Sequence, residues 1–256
     1  MVGGGVVTLA VDGRNRPGGA SQGPDDVSDG RFEAVLFDAG GVLVLPDPTV
    51  LGPLLAAYGG SAEIDDHRRA HYAGMAAKSR AAASESDWDS YNLAYVESVD
   101  VDPDLRLIAA SILDHTRSAA LWRWAIPESV LALRALEERG VPMSVVSNAS
   151  GQIAWVLSHS GVCQEGPGEG VAMRIVVDSH VVGVAKPDPH IFGFALDLHP
   201  ETDPERILYV GDSVVMDVAG ARAAGLHPVL LDPFDDHPDA DFDRIGSLLE
   251  LDGLLG

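Results

Sequence analysis

Several short stretches place chemically capable side chains directly after apolar runs. Asp38 closes Ala34-Val35-Leu36-Phe37 and is followed by Ala39-Gly40-Gly41. Ser147-Asn148 closes Val145-Val146, and Lys186 stands in Gly183-Val184-Ala185-Lys186-Pro187-Asp188-Pro189. Asp212 follows Tyr209-Val210-Gly211, with Asp217 five residues beyond it. A carboxylate can act as a nucleophile toward phosphorus, giving an acyl-phosphate intermediate. Its approach to a phosphate dianion requires neutralising charge, which a hard cation held by oxygen ligands supplies. Asp38 and Asp212 are suited to hold such an ion, and Asp217 either binds it or holds its waters. Ser147 and Asn148 offer donors to phosphoryl oxygens, and Lys186 offers a point charge for the developing anion. Taken singly, an Asp before a glycine is more often a turn former than a catalyst. These side chains can serve one site only in a fold that brings the stretches together.

Such a fold is legible in the pattern around them. Residues 33–38, 141–147, 174–177, 207–210 and 229–231 are short apolar runs of the kind that form buried parallel strands. Between them lie helical stretches. One opens at Pro127, keeps Val130, Leu133 and Leu136 at helical spacing, and stops at Gly140. Others are expected at 151–160, 189–198 and 214–224, the last ended by Gly225. Strands alternating with helices predict an α/β protein, a Rossmann-like doubly wound parallel sheet. Its ligand site lies at the carboxyl ends of the strands, where Asp38, Ser147 and Asp212 fall.

Residues 47–125 interrupt this alternation, with no convincing strand and candidate helices at 49–58, 63–83, 87–99 and 104–118. The expected organisation is a mobile N-terminal extension (1–30), a core (31–46 and 126–256) and a helical cap domain (47–125) over the strand ends. On the cap, Arg68, Arg69, His71 and Tyr72 read as a solvated charged face, and Trp122 and Trp124 as packing where cap rejoins core. The stretch 164–170 reads as a flexible connection, and Cys163 as a small buried residue. The histidines show no metal-ligand spacing and read as surface or packing residues.

Composition narrows the partners. With 39 acidic against 17 basic side chains and a formal net charge of -22, the chain repels phosphate backbones and anionic membranes. Neither nucleic acid nor membrane is an expected partner. A single cysteine rules out a disulfide framework and fits a reducing, cytoplasmic location. No apolar run approaches the roughly 20 residues of a membrane helix, and the short run 6–11 lacks the basic residues of a signal peptide.

The ordered set Asp38, Ser147-Asn148, Lys186 and Gly211-Asp212-Ser213 resembles the haloacid dehalogenase superfamily of hydrolases. The likeness is to the group with a mobile helical cap between the first and second motifs, and it runs from Phe32 to the last helix. It implies a Rossmann-like core, Mg2+ as cofactor, an aspartyl-phosphate mechanism and a small phosphorylated substrate. By position it implies Asp38 as nucleophile, Ser147 and Lys186 as phosphate-binding residues with Asn148 beside them, and Asp212 as a magnesium ligand. Asp217 is implied as a further metal-site residue, and the Gly40 carbonyl as a metal contact. One departure stands out, because phosphatases of the family usually carry at position 40 a second Asp that serves as general acid and base. The nearest downstream acid is Asp47, nine residues after Asp38, which is either a substitute acid or the start of the Asp47-Pro48 turn. Three readings follow: a magnesium-dependent phosphatase of a small metabolite, which is the expectation; a 2-haloacid dehalogenase, whose carboxylate attacks carbon without a metal; and a non-catalytic relative that binds a phospho-ligand or protein.

Overall fold

The structure, a computed structural model, describes Met1 and residues 31–255. Apart from Met1, the expected extension 1–30 lies outside the described residues. The chain begins with β1 (Ala34–Phe37) and β2 (Val44–Pro46), then α1 (Pro48–Ala56), α2 (Ile64–Arg80), α3 (Asp89–Ser98) and α4 (Arg106–Thr116). It returns through β3 (Trp122–Ala125), α5 (Pro127–Glu138), β4 (Met143–Ser147), α6 (Ile153–His159), β5 (Cys163–Glu165) and β6 (Val171–Met173). It ends with β7 (Val176–Asp178), α7 (Ser179–Val182), α8 (His190–Leu196), β8 (Ile207–Gly211), α9 (Ala219–Ala223), β9 (His227–Leu231), β10 (Asp243–Ile245) and α10 (Asp252–Leu255).

Six strands form one sheet in the order β10-β9-β8-β1-β4-β7, every neighbouring pair parallel. All four residues of β1 are buried, as a central strand covered on both faces requires. Side-chain alternation divides them. Val35 and Phe37 face a cluster with Leu133, Leu136 and Leu157 from α5 and α6. Ala34 and Leu36 face Ile191, Phe192 and Ala221 from α8 and α9. The result is helix, sheet, helix. Phe37 is level with Val145 of β4 and Val210 of β8, so the residues following all three strands converge on one edge.

α1–α4 enclose their own apolar cluster, which includes Leu51, Leu55, Tyr95, Val96 and Leu113. Asp47 caps α1 by accepting from the Thr49 N–H, with Pro48 in the first turn. α2 carries Asp65 and Asp66 in its first turn and Lys78 and Arg80 in its last, matching its dipole. This helix is not a solvated face, contrary to the expectation from its charges. Tyr72 is buried in the sheet-side cluster, Arg68 pairs with Glu128 of α5 at 2.9 Å, and Arg69 grips Asp236 through two bonds of 2.6 and 2.8 Å. α2 is thus clasped to the core along much of its length.

Other expectations also change. The helical stretch contains a strand after all: β3 pairs antiparallel with β2, forming a two-stranded connection between helical unit and core. Each of its strands is only three or four residues long, too short for alternation to announce it. The 164–170 stretch is no loose connection either. β5 and β6 pair in parallel across it, and the Gln164 side chain bonds Gly166, Gly170 and the Gly170 N–H. The 214–224 helix begins as a wide π-helical turn, Val214–Val218, before α9. Cys163 is buried in β5, as expected.

Candidate active site

β1, β4 and β8 end at the same edge and deliver Asp38, Ser147 and Asp212 to one cavity of about 630 Å³, which Lys186 and Asp217 also line. The Lys186 ammonium stands between two carboxylates, 2.9 Å from Asp38 Oδ1 and 2.7 Å from Asp217 Oδ1, and donates to the Tyr209 hydroxyl at 2.9 Å. Burial opposes its charge, but Asp217 and Asp38 outweigh that and hold it above the ordinary lysine range. Asp38 Oδ1 also accepts from the Ala39 N–H at 2.7 Å. Among the described residues no donor reaches Asp38 Oδ2, so one oxygen of this carboxylate is anchored and the other is open to the cavity. Burial, with Asp217 and Asp212 nearby, raises the Asp38 carboxyl above its usual range, against the pull of Lys186.

Asp217 is fully engaged. Its Oδ1 accepts from Lys186 and Tyr209, and its Oδ2 from the backbone N–H groups of Asp212 and Ser213 at 3.1 and 2.9 Å. The π-helical turn makes this possible by returning Asp217 over the end of β8. Oxygen atoms of Asp38, Asp212 and Asp217 lie within 4.8 Å of one another. Burial, and then Asp217, push the Asp212 carboxyl well up. Three buried carboxylates with one lysine leave uncompensated negative charge, and the hard oxygen donors suit a divalent cation such as Mg2+. Asp38 Oδ2, Asp212 Oδ1 and the Gly40 carbonyl receive no donor from the described residues and are the atoms available to it. Asp217, with four donors already, fits a supporting position behind the site.

Ser147 is 3% exposed and lines the cavity. Asn148 is locked to the lysine loop, its Nδ2 donating to the Lys186 carbonyl at 3.0 Å and its Oδ1 accepting from the Lys186 N–H at 2.8 Å. It therefore positions Lys186 by a two-bond clamp. Asp47 does not join the site. Its Oδ1 accepts from the Thr49 N–H and hydroxyl, its Oδ2 from Arg123 Nε at 2.9 Å, and it does not line the cavity. The turn reading of Asp47 is the one the geometry matches. Nor is position 40 simply empty: a Cβ built on Gly40 would lie 3.0 Å from the Trp122 ring.

These contacts place one open carboxylate oxygen, a paired lysine and a cation-sized group of acids under a single roof. The family model for haloacid dehalogenase-like hydrolases matches residues 32–225. The chain belongs to that family. The chain is 35% identical over 113 residues to haloacid dehalogenase-like hydrolase domain-containing protein 3 of Bos taurus, covering 42% of this chain and 40% of that protein. It is 28% identical over 164 residues to the glyceraldehyde 3-phosphate phosphatase of Methanopyrus kandleri, covering 60% of this chain and 67% of that enzyme. The chain therefore spans about two-fifths of the bovine relative's length. Among solved structures, it resembles the HAD phosphatase from Thermococcus onnurineus with a TM-score of 0.54 and 23% identity, over 88% of this chain and 98% of that one. That likeness is one of fold. No helix among the described residues is long and apolar enough to cross a membrane.

Part of the candidate site was not expected from the chain alone. His71, expected at the surface or in packing, reaches from α2 to the core, with Nε2 2.9 Å from Asp212 Oδ2 and Nδ1 2.9 Å from the Tyr91 hydroxyl. Burial pushes its pKa down to about 3 and keeps the ring neutral. Tyr72 donates to the Gly41 carbonyl at 2.7 Å, pinning the turn after Asp38. Met75 and Lys78 line the cavity. A signal was present: His71, Met75 and Lys78 fall at i, i+4 and i+7, one face of a helix. The charges around them masked it.

Proposed function

We propose that this chain is a magnesium-dependent phosphatase of a small phosphorylated compound, working through an aspartyl-phosphate on Asp38. The observation that carries the reading is the Asp38 carboxylate, with Oδ1 held by Lys186 and the Ala39 N–H and Oδ2 free toward the cavity. A cation held by Asp212 Oδ1 and the Gly40 carbonyl, with Asp38 beside it, would supply positive charge to the phosphoryl oxygens and leave Asp38 Oδ2 free to attack. Lys186 adds charge from the core side, and Ser147 donates to a phosphoryl oxygen. Asp38 Oδ2 attacks phosphorus, the bond to the leaving oxygen breaks, and that oxygen takes a proton from water in the cavity. Water then attacks the phosphorus of the aspartyl-phosphate, releasing inorganic phosphate and restoring Asp38. The relative from Methanopyrus kandleri, described as a glyceraldehyde 3-phosphate phosphatase, supports phosphomonoester chemistry over carbon–halogen cleavage. Residues 47–125 serve as a cap that bounds the cavity opposite the strand ends and excludes water.

The test is phosphate release from a panel of phosphomonoesters, with Mg2+ and with excess chelator, for the wild type and Asp38→Asn. Hydrolysis that requires Mg2+ and disappears in Asp38→Asn is expected. Undiminished hydrolysis in Asp38→Asn would overturn the covalent role of Asp38. Halide release from a 2-haloacid in chelator, with no phosphate release from any ester, would place the chain among dehalogenases.

A further inference from the structure

The cavity is far larger than a phosphoryl group, and the wall contributed by the helical unit is built differently from the acid-rich sheet edge. Lys78 and Arg117, from α2 and the segment after α4, both lie over the ring of Trp88, at 3.7 and 3.9 Å from its centroid. All three residues line the cavity, as do the hydroxyl-bearing Ser84 and Ser118. Lys78 is 3% exposed, and among the described residues its ammonium donates to the Glu85 carbonyl at 2.8 Å. Among the described residues no carboxylate lies within ion-pair distance of its ammonium. A buried ammonium normally has an anionic partner. Arg117 donates to Asn92 and approaches the half-exposed Asp114 only at 3.6 Å, leaving much of its donor fork unused.

We propose that Lys78 and Arg117 form a subsite for a second anionic group on the substrate, a carboxylate or a second phosphoryl, held against the Trp88 wall of the cavity. This rests on the phosphatase reading for the identity of the first group, but not for the existence of the subsite. Charge distribution favours it. Lys186 is already held between Asp38 and Asp217, so its charge is committed at the nucleophile end. Burial lowers the Lys78 pKa and Arg117 adds to that, while Glu85, Asp87 and Asp212 pull it back only in part, so the ammonium has room for a closer anion. The structural alternative is that Trp88 simply stacks both cations to brace the cap. Bracing explains the ring contacts, but it leaves the ammonium without a carboxylate at ion-pair distance among the described residues, Glu85 lining the same cavity farther off. An incoming anion supplies that partner, and Met75 and Trp122, the latter next to both the Trp88 ring and Gly40, offer apolar wall to the rest of the substrate. In a chain of net charge -22, preference for a more negative substrate requires such a dedicated pair, because the overall field disfavours it.

The experiment compares phenyl phosphate, 4-carboxyphenyl phosphate and 1,4-phenylene bisphosphate. Binding is followed by tryptophan fluorescence in the full-length Asp38→Asn protein with Mg2+, and kcat/KM is measured in the wild type. The anionic esters are expected to bind about tenfold to a hundredfold tighter than phenyl phosphate, the range of a charge-assisted hydrogen bond. Which of the two gains more identifies carboxylate or phosphoryl as the preferred group. Lys78→Met and Arg117→Met should each bring the ratio toward unity, and Lys78→Arg should restore it. Equal binding of all three esters by Asp38→Asn overturns the proposal, whether or not the methionine variants fold. A retained preference with no phosphate release from any ester in the wild type would instead refute the phosphatase reading and leave the subsite standing.

Discussion

Gly41 offers a sharp test of how the site is assembled, because a matched control exists in the same chain. Gly41 has φ +72°, and a Cβ there would lie 1.9 Å from Asp212 Oδ2 and 2.6 Å from His71 Nε2. Gly140, which ends α5, has φ +73° with nothing within 4 Å of its would-be Cβ. Alanine at either position carries the left-handed backbone penalty of about 1–2 kcal/mol. Only Gly41→Ala adds a collision with Asp212, the carboxylate proposed to hold the cation. To reach ordinary contact, the Asp212 oxygen must retreat by about 1.5 Å, which also breaks its contact with His71; a misplacement near 1 Å can reduce rate about 10²-fold. Both variants should therefore melt earlier than wild type, Gly41→Ala by more because it also disrupts the buried His71–Asp212 contact. Gly41→Ala alone should lose Mg2+ affinity by calorimetry and phosphate release by at least about tenfold. Equal Mg2+ affinity and turnover in the two variants would refute the claim that Asp212 is seated over the turn after Asp38.

Asp47→Ala should reduce stability by about 1 kcal/mol through loss of the α1 cap, while leaving the ratio of alkyl to aryl phosphate hydrolysis unchanged; a selective loss on alkyl esters would reinstate Asp47 as leaving-group acid. Gly40→Asp alone should not improve alkyl-ester hydrolysis, because Trp122 occupies the space, whereas Gly40→Asp with Trp122→Ala should raise it about tenfold or more; steady-state kinetics on one alkyl and one aryl ester decide this. His199 is buried beside Ser144, and burial, then Arg174, push its pKa down to about 4 against the pull of Glu201. The unfolded chain binds that proton below about 6.5 and the folded one only near 4, so stability present at neutral pH falls by about 3 kcal/mol as pH drops through that window. Denaturant melts of wild type and His199→Asn between pH 7 and pH 4 should show the steeper decline in wild type.

Much of the nucleophile end was legible in order and spacing. The apolar run ending in Asp38, the Ser147-Asn148 pair and Gly211-Asp212-Ser213 each belong to a parallel strand, and parallel strands point their ends the same way. Once the alternation of strand and helix is read, Asp38, Ser147 and Asp212 must share an edge. The β2–β3 and β5–β6 ribbons were not legible, because a strand of three residues has no measurable period. The division of labour among the acids was not legible either. Asp217 and Asp47 look alike in a sequence; the π-helical turn supplies one with four donors behind the site, while the cap of α1 ties the other to Thr49 and Arg123.

What the sequence by itself determined is local. Apolar runs, helix stops and turn residues set the strands, the helices and the side chains at their ends, since these depend on neighbours a few residues away. What only the tertiary structure decided is which distant groups meet. His71 and Asp212 are 141 residues apart, and Lys78, Trp88 and Arg117 come from three separate segments of the helical unit. Trp122 stands where an acid at position 40 would lie. No periodicity encodes such meetings, because they depend on how the helical unit seats over the sheet edge, and that is set by packing and ion pairs summed over the whole interface.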